Sequence, residues 1–311
     1  MDNIAILASG TAMLLGGLFL LRFGLTKLFS PALKQLLFKL TLSPWRGLLA
    51  GTVAAALMQS STAVTLLTIG LVSAAYLPFY QALGLILGAN IGTCATTGLL
   101  VLSIPPECFL PLAAIGVLVA VLSSNHRCSA LAGIGLLSMF AGVEVLSQGL
   151  ESASELDTVM AFLATAKQNP VYGIFGGILL TFLVQSSSAA TGLLMVLTEG
   201  NLIDLHTAIY GVYGNNIGSC LFSLIVGVTA PLAARRIAVA HIMLNLLGVL
   251  VFFPFSGLLA KTATLLTADL AGQVASVHTL FNLLSSLAAL PVLRLFARFI
   301  TFIVPGNDAK L

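Results

Sequence analysis

Two short polar runs, Gln59-Ser60-Ser61-Thr62 and Gln185-Ser186-Ser187-Ser188, each interrupt a stretch of apolar residues. Donors and acceptors buried in apolar surroundings are costly unless they face a cavity or a protein partner. A lone Ser or Thr satisfies itself by bonding back to its own helix carbonyl. Four adjacent polar residues that occur twice point instead to a ligand. A helix broken at such a run presents free backbone N–H groups and a positive end, which together receive an anion without help from Lys or Arg. No basic residue lies within either run.

A second pair of motifs, Gly88-Ala89-Asn90-Ile91-Gly92-Thr93-Cys94 and Gly214-Asn215-Asn216-Ile217-Gly218-Ser219-Cys220, has a different chemistry. Paired glycines predict local unwinding of a helix, and Asn with exposed carbonyls offers neutral oxygen ligands. Hard cations take such oxygens, and with no carboxylate or imidazole in the motif sodium fits better than a transition metal. The competing reading is a glycine face that packs closely and turns an Asn inward. His241 with Asn245, and His278 with Asn282, lie one helical turn apart and read as interhelical hydrogen-bonding pairs. Glu144 is the one carboxylate expected within a span, where a proton or cation role competes with a position near the surface. Cys94, Cys108, Cys128 and Cys220 have no CxxC or His-paired spacing, so neither a zinc site nor a disulfide framework is indicated. No Gly-x-Ser-x-Gly or His-Glu-x-x-His motif occurs, and the chain is not expected to be an enzyme.

The elements that position these residues follow from an internal repeat. Both motif pairs share an offset of 126 residues (185 − 59 and 214 − 88), and Pro44/Pro170, Gly47/Gly173 and Gly51/Gly177 keep the same register. Residues 1–150 and 151–311 are therefore expected to be two halves of duplicated origin. The 311 residues are 59% hydrophobic and only 7% charged, too little charge to cover a soluble surface. The net charge of +3 gives no nucleic-acid surface. Apolar length predicts spans near 4–21, 80–103, 105–122, 128–150, 205–228, 236–256 and 274–293. The first is expected to be a retained helix rather than a cleaved leader. Between them, 45–73 and 171–198 read as re-entrant hairpins with the Gln-Ser-Ser runs at their turns.

Basic residues collect in short cytoplasmic loops. With the N-terminus outside and the C-terminus cytoplasmic, the cytoplasmic segments hold Arg22, Lys27, Lys34, Lys39, Arg46, Arg127, Arg235, Arg236, Arg294, Arg298 and Lys310, leaving Lys167 and Lys261 outside. The acids show the opposite bias: Asp2, Glu107, Glu151, Glu155, Asp157, Glu199, Asp204 and Asp269 fall outside, and Asp308 inside. The seven spans count as three with one hairpin for each repeat plus a last span at the C-terminus, and an odd number of crossings inverts the second repeat relative to the first. The expected fold is an all-α membrane protein of two inverted-topology repeats, each with three spans and one re-entrant helical hairpin, plus a C-terminal span. Leu25–Leu40 reads as a separate interfacial helix and Gly257–Leu270 as its outer counterpart.

At these motifs the chain resembles the sodium-dependent phosphate cotransporter family, the bacterial relatives of the animal type II sodium-phosphate cotransporters. Arg235-Arg236 with His241 and Asn245, and His278-Thr279-Leu280-Phe281-Asn282, extend the resemblance over most of residues 44–290. The resemblance implies a sodium-coupled symporter of inorganic phosphate in the cell (inner) membrane, with sodium ions for coupling and no other cofactor. It implies phosphate-binding roles for Gln59, Ser60, Ser61, Gln185, Ser186 and Ser187. It also implies sodium-side roles for Thr62, Thr65, Ser188 and Thr191, and for the segments carrying Asn90, Thr93, Asn216 and Ser219. Partners would be phosphate, sodium and the lipid bilayer, with monomer and homodimer both open and no nucleic acid. Thr62 replaces the family's third Ser, Asn215 an Ala, and Cys94 and Cys220 a Thr. The cytoplasmic regulatory domain that many bacterial relatives carry is not expected. Rival readings are a sodium-coupled carrier of another anion, and a non-transporting membrane scaffold or channel.

Overall fold

The computed structural model describes residues 2–40, 43–102, 104–153 and 157–306. Asp308, Lys310 and Glu155 of the charge argument lie outside the described residues, as do the side chains of Asp2, Lys34, Lys39 and Glu151. Every regular element among the described residues is helical. In chain order these are α1 (Asp2–Leu40), α2 (Pro44–Met58), α3 (Ser61–Ser73), α4 (Phe79–Gly92), α5 (Cys94–Leu100), α6 (Phe109–Leu122), α7 (Arg127–Ala153) and α8 (Asp157–Gln168). There follow α9 (Pro170–Val184), α10 (Ser187–Glu199), α11 (Leu205–Val228), α12 (Leu232–Phe252), α13 (Ser256–Leu266), α14 (Leu270–Ala289) and α15 (Leu293–Ile303).

Among the described residues, five helical stretches are long and apolar enough to cross a membrane: Ala5–Phe29, Phe79–Leu100, Arg127–Gly149, Leu205–Val228 and Leu232–Leu266. A sixth is added if α14 is counted with α15, which bends away from it by 85°. Many of their large apolar side chains face outward, among them Phe19, Leu250 and Leu258. Such a surface is stable against lipid rather than water. The seventh expected span, near 105–122, is a shorter apolar helix, Pro106–Leu122, made of a 3-10 turn and the 14 residues of α6. Leu25–Leu40 is not a separate helix, since α1 runs unbroken through it.

Glycine sets the helix spacing. A Cβ on Gly88 would lie 2.0 Å from the Leu48 carbonyl oxygen, and one on Gly214 2.0 Å from that of Ile174. The same holds for Gly51 against Leu85 and Gly177 against Gly211. The glycines thus let α2 lie along α4, and α9 along α11, with backbones in contact. This corrects the expectation of unwinding. No glycine among the described residues has positive φ, and α11 passes through Gly214–Cys220 without a break. In the first copy only a slight turn at Thr93 separates α4 from α5.

Candidate functional site

The helix breaks occur at the two polar runs. Gln59 caps α2 with φ 51° and ψ 32°, and Gln185 caps α9 with φ 54° and ψ 27°. This left-handed conformation ends a helix at some strain for a residue with a side chain. Ser60 and Ser186 are extended and start the next helices: Ser60 Oγ accepts from Ala63 N–H at 3.1 Å and Ser186 Oγ from Ala189 N–H at 3.3 Å. The two helices before the breaks also begin alike, Ser43 and Asn169 accepting backbone N–H bonds just ahead of Pro44 and Pro170. Each break therefore places the positive end of a 13-residue helix at the tip, its third N–H capped by the serine hydroxyl.

Both tips meet at one cavity of about 460 Å³, lined by Ser60 and Thr62 from the first and by Gln185, Ser186 and Ser187 from the second. Gly218 and Ser219 of α11 complete its polar wall, and Leu66, Phe182, Phe222 and Ile225 the apolar one. Of the six residues expected to bind phosphate, Ser60, Gln185, Ser186 and Ser187 therefore share this space. Gln59 and Ser61 do not line it: Gln59 is buried, its amide donating to the Ala56 carbonyl and accepting from the Thr96 hydroxyl.

The eight sodium-side residues do not converge on one point. Thr62 and Ser219 line the cavity, and the Thr62 hydroxyl reaches the Ser219 carbonyl at 3.4 Å. Thr65 and Asn90 instead meet His241: Thr65 Oγ1 lies 3.4 Å from Nδ1, and Asn90 Oδ1 lies 3.3 Å from Nε2. The Asn90 amide also donates to Asn245 Oδ1 at 3.1 Å. Thr93 and Ser219 donate to the carbonyls of Asn90 and Asn216, three residues back, and the Asn216 amide donates to the Val212 carbonyl. Thr191 donates to the Ser187 carbonyl and lies beside Asn215, whose amide fills the space between Thr181 and Thr191. Ser188 is buried on α10.

The histidine pairs act as interhelical bonding groups. Ser223 lies 3.3 Å from His241 Nδ1, and Thr97 lies 3.1 Å from His278 Nδ1. Thr97 and Ser223 are themselves related by the 126-residue offset (223 − 97). Glu144 accepts from the Gln148 amide at 3.0 Å on α7 and borders a separate cavity with Glu199 and Asp269. There Glu199 has its carboxyl pushed above the usual range, first by burial and then by the charges of Asp269 and Glu144.

One residue at the tips escaped the sequence argument. Arg22, expected in a cytoplasmic segment, lies within the apolar stretch Ala5–Phe29. Its Nε–H donates to the Gln59 carbonyl at 2.8 Å and an Nη2–H to Ser186 Oγ at 3.0 Å, so one guanidinium joins both tips. Its sequence signal was weak, because Lys27 follows it within the same stretch and the two together read as the basic end of a span.

Residues 13–148 and 138–281 each match the Na+/Pi-cotransporter family. The chain belongs to this family. Among the relatives it matches, "Uncharacterized protein YqeW" of Bacillus subtilis is 30% identical over 97% of this chain and 99% of its own length. "Putative inorganic phosphate export protein YjbB" of Escherichia coli is 29% identical over 88% of this chain. That match covers 50% of YjbB, so the chain spans about half the length of this relative. "Sodium-dependent phosphate transport protein 2A" of rabbit, Oryctolagus cuniculus, is 38% identical over 92 residues, 28% of this chain and 14% of its own length. No solved structure matches the chain.

Proposed function

We propose that the chain is a sodium-coupled symporter of inorganic phosphate that works by alternating access, with the anion held between the Gln59-Ser60 and Gln185-Ser186 tips. The observation that carries this reading is the single cavity lined by both tips. Two positive helix ends and the Ser60, Ser186 and Ser187 hydroxyls are donors suited to a compact, multiply charged oxyanion. A divalent anion in low dielectric needs further positive charge, and bound sodium supplies it, so each ligand strengthens the binding of the other. Thr62 and Ser219 are the sodium-side oxygens nearest that anion, and Thr65 and Asn90 would have to exchange their His241 contacts for an ion.

The inverted arrangement is part of the same proposal. It is supported by the packing of α1 on α7: Gly10 abuts Gly142 and Leu146, Gly17 abuts Gly135 and Met139, and Gly24 abuts Cys128 and Ala132, so the two helices run antiparallel. Gly16 and Gly142 are themselves 126 residues apart (142 − 16). In this reading α7 opens the second half, and the division falls between His126 and Arg127 rather than after residue 150. The tips then enter as re-entrant hairpins from opposite sides. With the N-terminus outside, the cavity lining along α11 from Gly218 to Ile225 lies toward the cytoplasmic end of that helix, which supports reading this as the inward-facing state.

The similarity to a protein named for phosphate export, over most of this chain, favours a second reading in which the same site runs outward. Binding of radiolabelled phosphate to the purified protein, with competitors, tests the site under either reading. Arsenate should displace phosphate, and monocarboxylates should not. Displacement by citrate or succinate at equal concentration would show that the substrate is another anion.

A further inference from the structure

We propose that Arg22 is the fixed counter-charge of the anion site: it holds Ser186 as an obligate donor to the bound anion and so permits anion binding before sodium arrives. The proposal rests on the phosphate-site reading above and adds to it a residue outside the duplicated motifs. Ser186 Oγ has two lone pairs. One accepts from Ala189 N–H and the other from Arg22 Nη2, at 3.3 and 3.0 Å. With both occupied, the hydroxyl can act only by donating its proton, and the free side of Ser186 is the cavity. A cation would need a lone pair there, whereas an anion needs the proton. Ser186 is thereby committed to an anion. Ser60, with only the Ala63 N–H on its oxygen, keeps a lone pair and is not so committed.

The charge itself calls for a partner. Among the described residues no carboxylate pairs with Arg22, and its Nη1 amino group makes no hydrogen bond. An unpaired guanidinium in an apolar span is expensive and persists where a ligand completes it. Arg22 does not line the cavity and acts through Ser186. An anion accepting from that hydroxyl sits one hydrogen bond beyond it, about 5 Å from the guanidinium, where a unit charge still changes affinity on the order of a hundredfold. The residue 126 positions further on, Gln148, carries no charge and bonds Glu144 instead (148 − 22). The cation is therefore unique to one side of the site.

The test is equilibrium binding of radiolabelled phosphate to the purified protein and to R22K, R22Q and R22M, from zero to saturating sodium with choline as replacement. Thermal unfolding checks that each variant is folded. The wild type should bind phosphate without sodium. R22Q and R22M should lose on the order of a hundredfold of that sodium-free affinity and recover part of it as sodium is added. R22K, which keeps the charge but not the fork, should stay within about tenfold at zero sodium. Equal loss in all three variants at every sodium concentration would make Arg22 a staple between the tips and overturn the charge role. Wild-type affinity in R22Q would overturn any role. Should neither neutral variant fold, complete loss of sodium-free binding in R22K overturns the proposal. A wild-type protein that binds no phosphate at any sodium concentration would instead overturn the site itself and this role with it.

Discussion

Removing the Ser186 hydroxyl separates one shared site from two independent ones. Ser186→Ala deletes the N-cap of α10, which costs about 0.5 to 2 kcal/mol of stability. It also takes the acceptor from Arg22 Nη2 and the donor from the anion. A hydrogen bond to a charged group contributes about 1.5 to 3 kcal/mol, so phosphate affinity should fall about ten- to a hundredfold. Ser60→Ala removes the equivalent cap of α3 and one cavity donor but disturbs no cation, and its effect should lie toward the lower end of that range. If both tips serve one anion, each mutant shows a single, weakened binding phase of full amplitude. Isotherms at saturating sodium, on variants confirmed as monodisperse, measure this. A wild-type-affinity phase of half amplitude retained in both mutants would refute the shared site.

Other outcomes follow from the same geometry. Gly88→Ala and Gly214→Ala each place a Cβ at 2.0 Å from a carbonyl oxygen of the facing helix, so each should lower the unfolding temperature in detergent, by a stability loss of about 1 to 3 kcal/mol or more. Gly70→Ala on α3 meets nothing within 4 Å and should be neutral or stabilising by up to about 1 kcal/mol. Glu199 has a raised carboxyl pKa, so its charged form opposes folding, and the penalty appears as pH rises above the ordinary carboxylate value and grows up to the folded-state value. Glu199→Gln should therefore raise the unfolding temperature at neutral pH, and the gain should vanish below about pH 4.5; a gain that persisted there would show another cause. Single cysteines at Lys167 and Arg235 should be labelled from the outside and the cytoplasm respectively, and labelling from one common side would end the inverted-repeat proposal.

The breaks were legible because they are encoded locally and twice. A Gln-Ser-Ser run between apolar stretches, preceded at the same distance by Pro44 or Pro170, specifies where each helix must stop and restart, and both stop there. The glycine motifs carried an ambiguity that sequence could not resolve. Glycine serves both unwinding and close approach, and only the facing carbonyls of Leu48 and Ile174 reveal the second use. The contacts of Arg22 were hidden for a related reason. At the end of an apolar run a basic residue looks like a loop boundary, and nothing local indicates that α1 continues past it or that two distant turns will offer it a carbonyl and a hydroxyl. The spread of sodium-side residues is likewise a tertiary fact, since Thr65 and Asn90 meet a histidine on α12, far along the chain.

The central claim is that one site between the two tips couples phosphate to sodium. Radiolabelled phosphate flux in proteoliposomes tests it most directly, with an inward sodium gradient, with equal sodium on both sides, and with choline in its place. The account predicts transient accumulation of phosphate above equilibrium only under the sodium gradient, abolished when the gradient is collapsed by an ionophore. Phosphate flux of the same rate and extent in choline would contradict it.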